Sequence, residues 1–491
     1  MIPRIWTLRT GRDLRGIMRE DERRRLVRDE FSGVDLGDKR RSRRAVAIAE
    51  RLASNPEASL PDAMGERSAT EGIYRHLGAR QVTFESLLQP HIARTAERVC
   101  EARVAFAVSD TTDFQFTGEK RRAGLGPINT MAQGFLAHVT VAVSADGRKT
   151  PLGLLACEMW ARAELKHRRR HRTWQWIPDP ARESLRWWRG MKSASERATG
   201  SELIHVADRD SDIYGVLAQL VTGGHRFIVR AAQDRSLVPL DKADAKRLFD
   251  AARSTPTKYE VDAPVSARSD GTNRPTDLKR RRPKRGSRTA SLSVAARSVT
   301  LTRPAHADRA LPERVTVNVV HALELGAPLG QAPVEWLLLT GEPIATDEQV
   351  AFVLEGYRTR WIIEEYFKAI KTGCSFESKQ LESFHTLSNM LAFVLVVAYV
   401  LLLLRTLTNT SIDERADQVL SRDQIAILRA CSPRPLPKAL TIREALLSVA
   451  ALGGHIRNNG DPGWRVLSRG WRKLADYERG FAIARARSDQ S

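Results

Sequence analysis

Three acidic residues stand at positions where carboxylates could act together. Asp110 ends an apolar run that is typical of a buried strand, and Asp208 ends a second such strand just before a helical segment. Glu364 lies on the polar face of a later helical segment. Carboxylates that converge without compensation repel one another and raise one another's pKa values. Two Mg²⁺ ions would relieve the repulsion, because Mg²⁺ takes oxygen ligands, and ions about 3.5–4 Å apart promote displacement at a phosphodiester.

The neighbouring acids leave this assignment open. Asp113, Asp210 and Asp212 lie close by and are alternative candidates, and Asp212 is also placed to cap the helix that follows. Each acid taken alone has a structural alternative, since carboxylates at strand ends also cap helices or pair with arginine. The sequence has no Cys and His cluster for a softer metal, no Gly-x-x-x-x-Gly-Lys-Ser/Thr phosphate loop and no Gly-x-Ser-x-Gly nucleophile motif.

The segment 357–371 is predicted to be one helix with two different faces. At about 100° per residue, one face carries the following side chains: Tyr357, Arg360, Trp361, Glu364, Lys368 and Lys371. The other face carries the spacing of a buried stripe: Ile363, Tyr366, Phe367 and Ile370. The first face would display one carboxylate among cations and aromatic rings. A face that is only solvated rarely carries a Trp and a Tyr, so this face is a candidate site, and the alternative is that it only forms salt bridges within the chain.

The charge of the whole chain favours a polyanionic partner. The 491 residues include 79 Lys and Arg against 58 Asp and Glu, which gives a formal net charge of +21. Cations on a nucleic-acid backbone release condensed counterions, so an excess of this size predicts nucleic acid as the partner. Colloidal solubility is the alternative, although a basic excess is the less usual way to secure it. Hydrophobic residues at 42% and charged residues at 28% indicate a globular protein.

The cysteines and the apolar segments predict a reducing compartment and no membrane. The four cysteines are scattered without a Cys-x-x-Cys pair, which argues against a disulfide framework and against a structural zinc. The N-terminal segment lacks the uninterrupted apolar core of a signal peptide. The apolar run 390–404 is shorter than the ~20 residues of a spanning helix. We therefore predict that it is a fully buried helix and that the protein is cytoplasmic.

The N-terminal part is predicted to be helical and basic. Asp38 is a candidate N-cap for a helix that runs from about residue 39. The first turns of this helix carry four arginines: Arg40, Arg41, Arg43 and Arg44. These charges oppose the helix dipole, and a phosphate backbone would compensate them; the alternative is a solvated charged turn. A second helix in this part is expected to expose Arg75 and His76.

The rest of the chain predicts a mixed α/β sheet followed by helices. From about residue 100 a strand is followed by a hairpin at Asp146 and Gly147, a helix, and then strand, helix and strand. This order is typical of a mixed sheet with helices on its faces. Residues 233–345 carry β signals that interrupt the alternation, which predicts an insertion. After Gly373 the chain is predicted to be helical.

Several of these motifs together resemble a known family. The spacing of Tyr357, Arg360, Glu364 and Lys371 resembles the Tyr-Arg-Glu-Lys signature of cut-and-paste bacterial transposases of the insertion-sequence-four group. The stretches "SDTTDF" and "ADRDSDIYG" resemble that family's other two acidic motifs, and "FSGVDLGDKRRSRRA" and "EGIYRHL" resemble its DNA-binding domain. "EWLLLTGEPI" and "ALGGHIRNNGDPGW" are similar to later stretches. The resemblance covers most of the chain and is weakest over 240–330 and 405–450.

The resemblance implies an α/β fold with an RNase H-like catalytic core and an inserted β subdomain. A helical DNA-binding domain would span 1–95, the core 96–375 with the insertion at about 233–345, and a helical, dimerising domain 376–491. Asp110, Asp208 and Glu364 would be the metal-binding triad for two Mg²⁺ ions, for which Mn²⁺ could substitute. Asp210 stands where the family usually has glutamate.

The resemblance also implies which residues contact DNA. They are Tyr357, Arg360, Lys371, Trp336, Arg230, Arg40, Arg41, Arg44 and Arg75. Trp336 would stack on a base flipped out of the terminal duplex, a contact that contributes ~1–3 kcal/mol per base; the alternative is a tryptophan in the core of the sheet. The basic runs at 166–172 and 277–288 have no assigned role, and for the second we favour a DNA clamp over a solvated run or an import signal.

The function implied by the resemblance is DNA transposition. Such a protein binds terminal inverted repeats, cuts DNA with water as the first attacking group and passes through a hairpin intermediate. It then joins the freed 3′-OH ends to target DNA. A homodimer on DNA, formed through the C-terminal helices, and a bacterial, nucleoid-associated location are expected. The alternatives are a DNA-binding regulator derived from a transposase and a nuclease of the RNase H superfamily.

Overall fold

A computed structural model gives the fold of most of the chain. The described residues are 20–118, 120–129, 132–162, 183–239, 241, 244–265, 286–410, 413–456 and 462–488. The basic run at 166–172 and residues 277–285 of the second run lie outside these residues, so the expectations about them stay predictions.

The N-terminal part of the described chain is helical, as predicted. Its helices are α1 (Glu20–Phe31), α2 (Lys39–Ser54), α3 (Leu60–Met64), α4 (Arg67–Gly78) and α5 (Phe84–Ala102). Asp38 is the N-cap of α2, because its carboxylate accepts hydrogen bonds from the N–H groups of Arg40 and Arg41, both at 2.9 Å. The predicted start of this helix is therefore confirmed.

A mixed sheet follows, again as predicted. Its first elements are β1 (Val104–Phe116), β2 (Gly126–Pro127), β3 (Gln133–Ser144), β4 (Pro151–Trp160), α6 (Arg186–Arg197), β5 (Glu202–Ala207), α7 (Tyr214–Thr222) and β6 (Arg226–Arg230). β1, β3 and β4 are antiparallel neighbours, and β5 and β6 continue the sheet parallel to β1. The turn between β3 and β4 contains Asp146 and Gly147, so the predicted hairpin is confirmed.

The predicted insertion extends this same sheet. It contains α8 (Leu248–Arg253), β7 (Tyr259–Val265), β8 (Arg288–Thr302), β9 (Arg314–Glu324) and β10 (Glu335–Thr340). β10 pairs antiparallel with β6, with Leu338 opposite Arg230. The described residues thus form a ten-stranded sheet in the order β2-β3-β1-β5-β6-β10-β9-β8-β7, with β4 on β3. This pairing places Trp336, two residues before Leu338, close to Arg230.

The helix predicted over 357–371 is divided in three. α9 (Asp347–Thr359) ends just before Arg360, α10 (Trp361–Lys368) begins after it, and a π-helical turn (Ala369–Gly373) follows. The N–H of Cys374 donates to the carbonyl of Ala369 at 2.8 Å, which closes the wider turn. The prediction assumed a constant rotation of 100° per residue about one helix axis, and this assumption does not hold across the whole segment.

The C-terminal part is helical, as predicted. Its helices are α11 (Phe384–Thr410), α12 (Arg422–Cys431), α13 (Ile442–Leu452) and α14 (Trp464–Ser488). In α11 the stretch Phe384–Leu407 is long and apolar enough to cross a membrane, yet 94% of its most apolar window is buried inside the protein. The prediction of a buried helix over 390–404 is confirmed.

α11 packs against the N-terminal helices. The rings of Phe31 and Phe393 stack with centroids 5.2 Å apart. Asn389 Nδ2 donates to the carbonyls of Leu77 at 2.9 Å and Val82 at 2.8 Å. The N-terminal helices, one face of the sheet and α11 share one hydrophobic core. The division at residues 95 and 375 stays a prediction, and it does not separate independent cores.

A buried charged network also joins α1 and α5 to the sheet. Glu30 on α1 accepts hydrogen bonds from Arg98 Nη1 at 2.7 Å and from His91 Nδ1 at 2.6 Å. On the other side of these residues, the N–H of Leu154 donates to His91 Nε2 at 3.0 Å and Arg98 Nε donates to the carbonyl of Leu152 at 2.6 Å. Each charged group is thus satisfied by a partner on another element.

Candidate active site

Asp110 lies within β1 rather than at its end. The strand continues to Phe116, because β3 pairs with it along this whole stretch and Asp110 stands opposite Val139. The expectation that Asp110 ends its strand was therefore wrong. Burial raises the pKa of Asp110 to about 7, and the nearby Asp208 carboxylate adds to the effect. Asp110 is thus a carboxylate held in a position where a negative charge is costly.

Asp208 stands beside Asp110 because β5 and β1 are parallel neighbours. Val206 on β5 is opposite Val108 on β1, and each acid lies two residues further along its chain. Asp208 follows the last residue of β5, as predicted, and its Oδ1 accepts a hydrogen bond from the N–H of Asp210 at 2.9 Å. Burial raises the pKa of Asp208 as well, and the Asp210 carboxylate adds to this effect.

Arg360 joins the third acid to this pair. Its Nη2 lies 2.7 Å from Oε1 of Glu364, and its Nη1 lies 3.6 Å from Oδ2 of Asp110. Because Arg360 falls at the junction of α9 and α10, its side chain reaches both β1 and the first turn of α10. The three acids predicted from the sequence are therefore brought together around one guanidinium group.

The donor set of this acid cluster fits a hard divalent cation. Its donors are carboxylate oxygens, and the pKa values of Asp110 and Asp208 are raised because burial and their neighbours disfavour their charge. Within the described residues, no three Asp, Glu, His or Cys side chains are arranged closely enough to enclose an ion as they stand. Arg360 supplies the positive charge between Asp110 and Glu364 instead.

Lys371 also faces β1, further along the strand. Its Nζ lies 3.7 Å from Oδ1 of Asp113 and 3.9 Å from Oε1 of Glu377. Asp113, one of the alternative acids, also accepts a hydrogen bond from Gln115. Asp113 is therefore paired with Lys371 rather than placed in the acid cluster, and the prediction that Glu364 and Lys371 share one face stays a prediction.

Tyr357 lies on the buried side of α9, although its position in the sequence predicts display beside Glu364. Only 5% of the residue is exposed, because the Trp336 ring packs edge-on against it with centroids 5.9 Å apart. Arg230 connects the pair to β10, since its Nη1 donates to the Tyr357 hydroxyl at 3.5 Å and its Nη2 to the Glu335 carbonyl at 2.8 Å. A role of Trp336 in base stacking stays a prediction.

The predicted polar face also divides at Trp361 and Lys368. Trp361 is 50% exposed, and Lys368 Nζ lies 5.1 Å from the centroid of its ring. Lys368 Nζ also donates to Oε1 of Glu365 at 2.7 Å. These side chains form their own group beside the acid cluster. The buried stripe of Ile363, Tyr366 and Ile370 is confirmed, whereas Phe367 is half-buried.

A basic cavity adjoins the cluster, and the sequence did not reveal it. It has a volume of about 250 Å³ and is lined by Arg209, Arg230, Phe249, Arg253 and Glu335, among others. Arg253 donates to both carboxylate oxygens of Glu335, at 3.0 and 3.1 Å, and lies 5.7 Å from the centroid of the Phe249 ring. Arg209 could have been suspected from its place next to Asp208. No sequence pattern marks Arg253 and Phe249 as site residues. Both are on α8, which reaches this cavity only because β10 pairs with β6.

Comparison with known proteins decides the domain type. Residues 23–82 match the family model described as transposase DNA-binding, and residues 197–401 match the family model described as transposase DDE domain. The chain carries a transposase DNA-binding domain and a transposase DDE domain. The DDE match includes Asp208 and Glu364 and begins after Asp110. Asp110 is thus associated with the DDE domain by the geometry around Arg360.

One solved structure is also similar to the chain. It is the cryo-EM structure of the piggyBac transposase synaptic complex with hairpin DNA. The two chains are 9% identical, the comparison covers 80% of this chain and 73% of the other, and the TM-score is 0.33.

One alternative acid of the DDE domain has a structural role. Asp212 is buried, and its Oδ2 accepts hydrogen bonds from the N–H groups of Ala232 and Gln233, both at 2.7 Å. Its Oδ1 accepts from Arg235 Nε at 3.0 Å. The N-cap of α7 is Ile213, so the prediction that Asp212 caps this helix was wrong. These bonds hold the segment after β6 against the turn that follows β5.

The transposase DNA-binding domain displays most of its predicted cations. Arg40, Arg44 and Arg75 are exposed on α2 and α4. His76 is only 3% exposed, so the expectation that it faces solvent was wrong. Burial lowers the pKa of His76 to about 4, and the nearby Arg44 and Arg41 add to the effect. α2 and α4 therefore lie side by side and present one basic surface.

Arg41 has a different environment from the other arginines of α2. It is half-buried, and its Nη1 donates to the carbonyl of Leu36 at 2.7 Å. This bond fixes the turn that precedes α2. A substitution of Arg41 would therefore change the local structure as well as any contact with DNA.

Proposed function

We propose that the protein is a cut-and-paste DNA transposase of the insertion-sequence-four group. It binds the terminal inverted repeats of its element, cleaves DNA at the acid cluster and joins the freed 3′-OH ends to target DNA. The observation that carries the proposal is the gathering of Asp110, Asp208 and Glu364 around Arg360 in a chain with both transposase domains. The strand order β4-β3-β1-β5-β6 supports an RNase H-like core.

In this proposal Asp110, Asp208 and Glu364 would hold two Mg²⁺ ions, for which Mn²⁺ could substitute. Bound ions would activate the attacking oxygen and stabilise the leaving oxygen of an in-line displacement. Arg360 reaches two of the acids, so a phosphate held between them would meet its guanidinium group. Water would attack first and free a 3′-OH, which would attack the opposite strand to give the hairpin intermediate. A second water would open the hairpin, and the regenerated 3′-OH would attack target DNA. The same residues serve each step.

The DNA would run from the basic surface of the N-terminal helices to the acid cluster. Arg230, Arg209 and Arg253 line the cavity beside Asp208 and extend the positive surface past the acids. Such contacts hold the phosphate backbone and position the strand without reading its sequence. The protein would work in the bacterial cytoplasm, in association with the nucleoid.

Dimerisation on DNA is part of the proposal, because both ends of an element must be held at once. The last turns of α14 expose the apolar side chains of Tyr477, Phe481 and Ile483. Two copies that pack these turns together would bury apolar area that one copy leaves in water.

The proposal is tested with DNA that contains the flanks of the reading frame, including any inverted repeats. The purified protein is incubated with this DNA, Mg²⁺ and a target plasmid. We expect end-specific cuts that leave 3′-OH groups, hairpin ends on the way, and joined products. Binding to the ends without cuts would indicate a regulator. Cuts without preference for the ends and without joining would indicate a nuclease, and either outcome would overturn the proposal.

Replacing Arg360 or Lys371 should weaken both binding and cleavage. Removal of one cation that neutralises a phosphate should flatten the slope of log K against log salt by about 0.9. Because the same cations would position the scissile phosphate, Arg360→Ala and Lys371→Ala should slow single-turnover cleavage at saturating protein by about 10–100-fold. The measurement pairs binding across a salt series with single-turnover cleavage.

The control for these variants is Arg358→Ala, which removes the same charge from a residue that pairs with Glu355 on α9. Its salt slope and cleavage rate should match wild type. If Arg360→Ala and Lys371→Ala behave like this control, their side chains only form salt bridges within the chain.

Replacing Arg40 and Arg44 together should weaken binding to end DNA but leave the chemistry intact. Both side chains are exposed on the DNA-binding domain, far along the chain from the acid cluster. The salt slope should fall by about 1.8 if each residue contacts one phosphate. Cleavage at saturating protein should stay at the wild-type rate. Arg415→Ala, an exposed arginine paired with Asp417, is the control for the loss of charge. An unchanged salt slope in the double variant would place the DNA elsewhere.

A further inference from the structure

Glu365, the residue after Glu364, joins the helix of the acid cluster to the C-terminal helix α14. Its Oε2 accepts a hydrogen bond from Trp464 Nε1 at 3.1 Å and lies 3.7 Å from Arg405 Nη2. Its Oε1 accepts from Lys368 Nζ at 2.7 Å. The side chain is 19% exposed, so these contacts are partly shielded from water. Hydrogen bonds from neutral or charged donors to such a carboxylate are stronger than those between neutral groups.

Trp464 contacts this segment at a second point. It is the first residue of α14, and the Arg405 guanidinium lies 4.8 Å from the centroid of its ring. At Gly373, the last residue of the π-helical turn, a Cβ would stand 3.5 Å from Cε3 of Trp464. The indole therefore packs against the end of the segment while its N–H binds Glu365 near the middle. One side chain of α14 thus holds α10 and the turn that follows it.

Groups on three helices surround the Glu365 carboxylate. Glu365 accepts hydrogen bonds from Lys368 on α10 and Trp464 on α14, and it forms an ion pair with Arg405 on α11. A glutamine at this position would keep the shape of the side chain and lose the charge that attracts these donors.

α10 needs such external support because it is short. It has eight residues, and its N-cap position, Arg360, makes no side-chain capping bond within the described residues. A helix of this length gains little from its own hydrogen bonds, so its position is set by packing. One anchor is the Tyr366 hydroxyl, which donates to the Leu395 carbonyl on α11 at 2.7 Å. Glu365 and Trp464 form the other anchor, adjacent to Glu364.

We propose that Glu365 is a positioning residue through which Trp464 of α14 fixes the place of Glu364 in the acid cluster. This inference rests on the proposed function, and it adds that the C-terminal helix controls cleavage from outside the site. When α14 is docked, Glu365 holds α10 against it and Glu364 faces Arg360. When Trp464 no longer binds Glu365, α10 moves more freely and Glu364 is less often in place.

The test uses Glu365→Gln, Trp464→Phe and the double variant in the full-length protein. Each single variant should slow single-turnover cleavage at saturating DNA by about tenfold, since a small displacement of a reacting group is costly. The double variant should be no slower than the singles, because both remove one interaction. Binding to end DNA should not change. Trp471→Phe is the control, because Trp471 lines a cavity with Trp464 and Arg405 on α14 and α11 but is not one of the hydrogen-bond donors to Glu365, and this variant should cleave like wild type.

A second readout does not depend on cleavage. Amide hydrogen exchange of the metal-free protein should become faster over residues 361–368 in both single variants, but not in Trp471→Phe. A purely global loss of stability would instead speed exchange throughout the core. Wild-type exchange and wild-type cleavage in both variants would overturn the inference. If the wild-type protein does not cut end DNA at all, the proposed function fails, and the exchange measurement alone still decides whether Glu365 positions α10.

Discussion

Asp208→Asn should lose DNA cleavage by roughly 10³-fold or more while end binding remains, which corresponds to about 4 kcal/mol of transition-state stabilisation. Asp110→Asn and Glu364→Gln should behave in the same way, because each removes a carboxylate charge from the acid cluster. Asparagine at 208 keeps an oxygen that can accept from the Asp210 N–H, so the local turn should persist. Single-turnover cleavage of end DNA in Mg²⁺ and binding without Mg²⁺ measure the two effects.

The nearby acids provide the controls for this prediction. Asp113→Asn removes a charge that faces Lys371, and it should reduce cleavage far less than the triad variants. Asp212→Asn should instead destabilise the fold, because it weakens the buried contact with Arg235. A triad variant that cuts DNA near the wild-type rate would show that its acid is not a metal ligand. Full loss of activity in Asp113→Asn would assign the ligand role to that residue.

Glu30→Ala should lower the free energy of unfolding by about 3–5 kcal/mol, since it leaves a buried arginine without its charged partner. Arg98 and His91 would both lose their acceptor on α1. Urea denaturation at pH 7.5 measures the change. The matched control is Glu71→Ala, which breaks the exposed pair with Arg67 and should cost less than about 1 kcal/mol. Equal losses in the two variants would mean that the buried network is not needed for stability.

The same network predicts how stability depends on pH. Burial alone would raise the pKa of Glu30, but Arg98 and His91 hold it at about 2, below its ordinary value of 4.5. Its contribution is therefore full above pH 4.5 and is lost as the pH falls toward 2. Burial lowers the pKa of His91, whose Nε2 accepts a hydrogen bond from the N–H of Leu154. The unfolded chain therefore binds a proton at His91 more readily than the folded protein, and stability falls as the pH drops below about 6.5. The urea concentration at the unfolding midpoint should be lower at pH 4 than at pH 7. A midpoint that does not change over this pH range would contradict this account.

The sequence predicted the elements that depend on local signals. Asp38 caps α2 because a carboxylate before a helix binds free N–H groups whatever surrounds it, and the hairpin after β3 follows from its turn residues. The buried helix over 390–404 and the order of strands and helices were also predictable. Asp208 could be placed for the same reason, since an apolar strand that ends before a helix puts its next residue at the edge of the sheet.

The remaining features depend on contacts between distant segments. Tyr357 is buried because Trp336 covers it, and this contact exists only because β10 pairs with β6. The length of β1 beyond Asp110 is set by β3, since Thr111 and Thr112 alone do not look like a buried strand. The cavity around Arg253 likewise needs the insertion to fold onto the sheet. Periodicity in one segment carries no information about such partners.

The packing of Phe393 and Asn389 against the N-terminal helices limits how the DNA-binding domain can change in evolution. The N-terminal helices and α11 form one core together. A DNA-binding domain taken from another transposase would therefore need the same surface toward α11. Recombination between related genes inside this region should therefore give mostly insoluble chimaeras. Under the proposed function, new end sequences would be acquired one exposed side chain at a time, on α2 and α4. Each such step would preserve the interior while changing which DNA the protein mobilises.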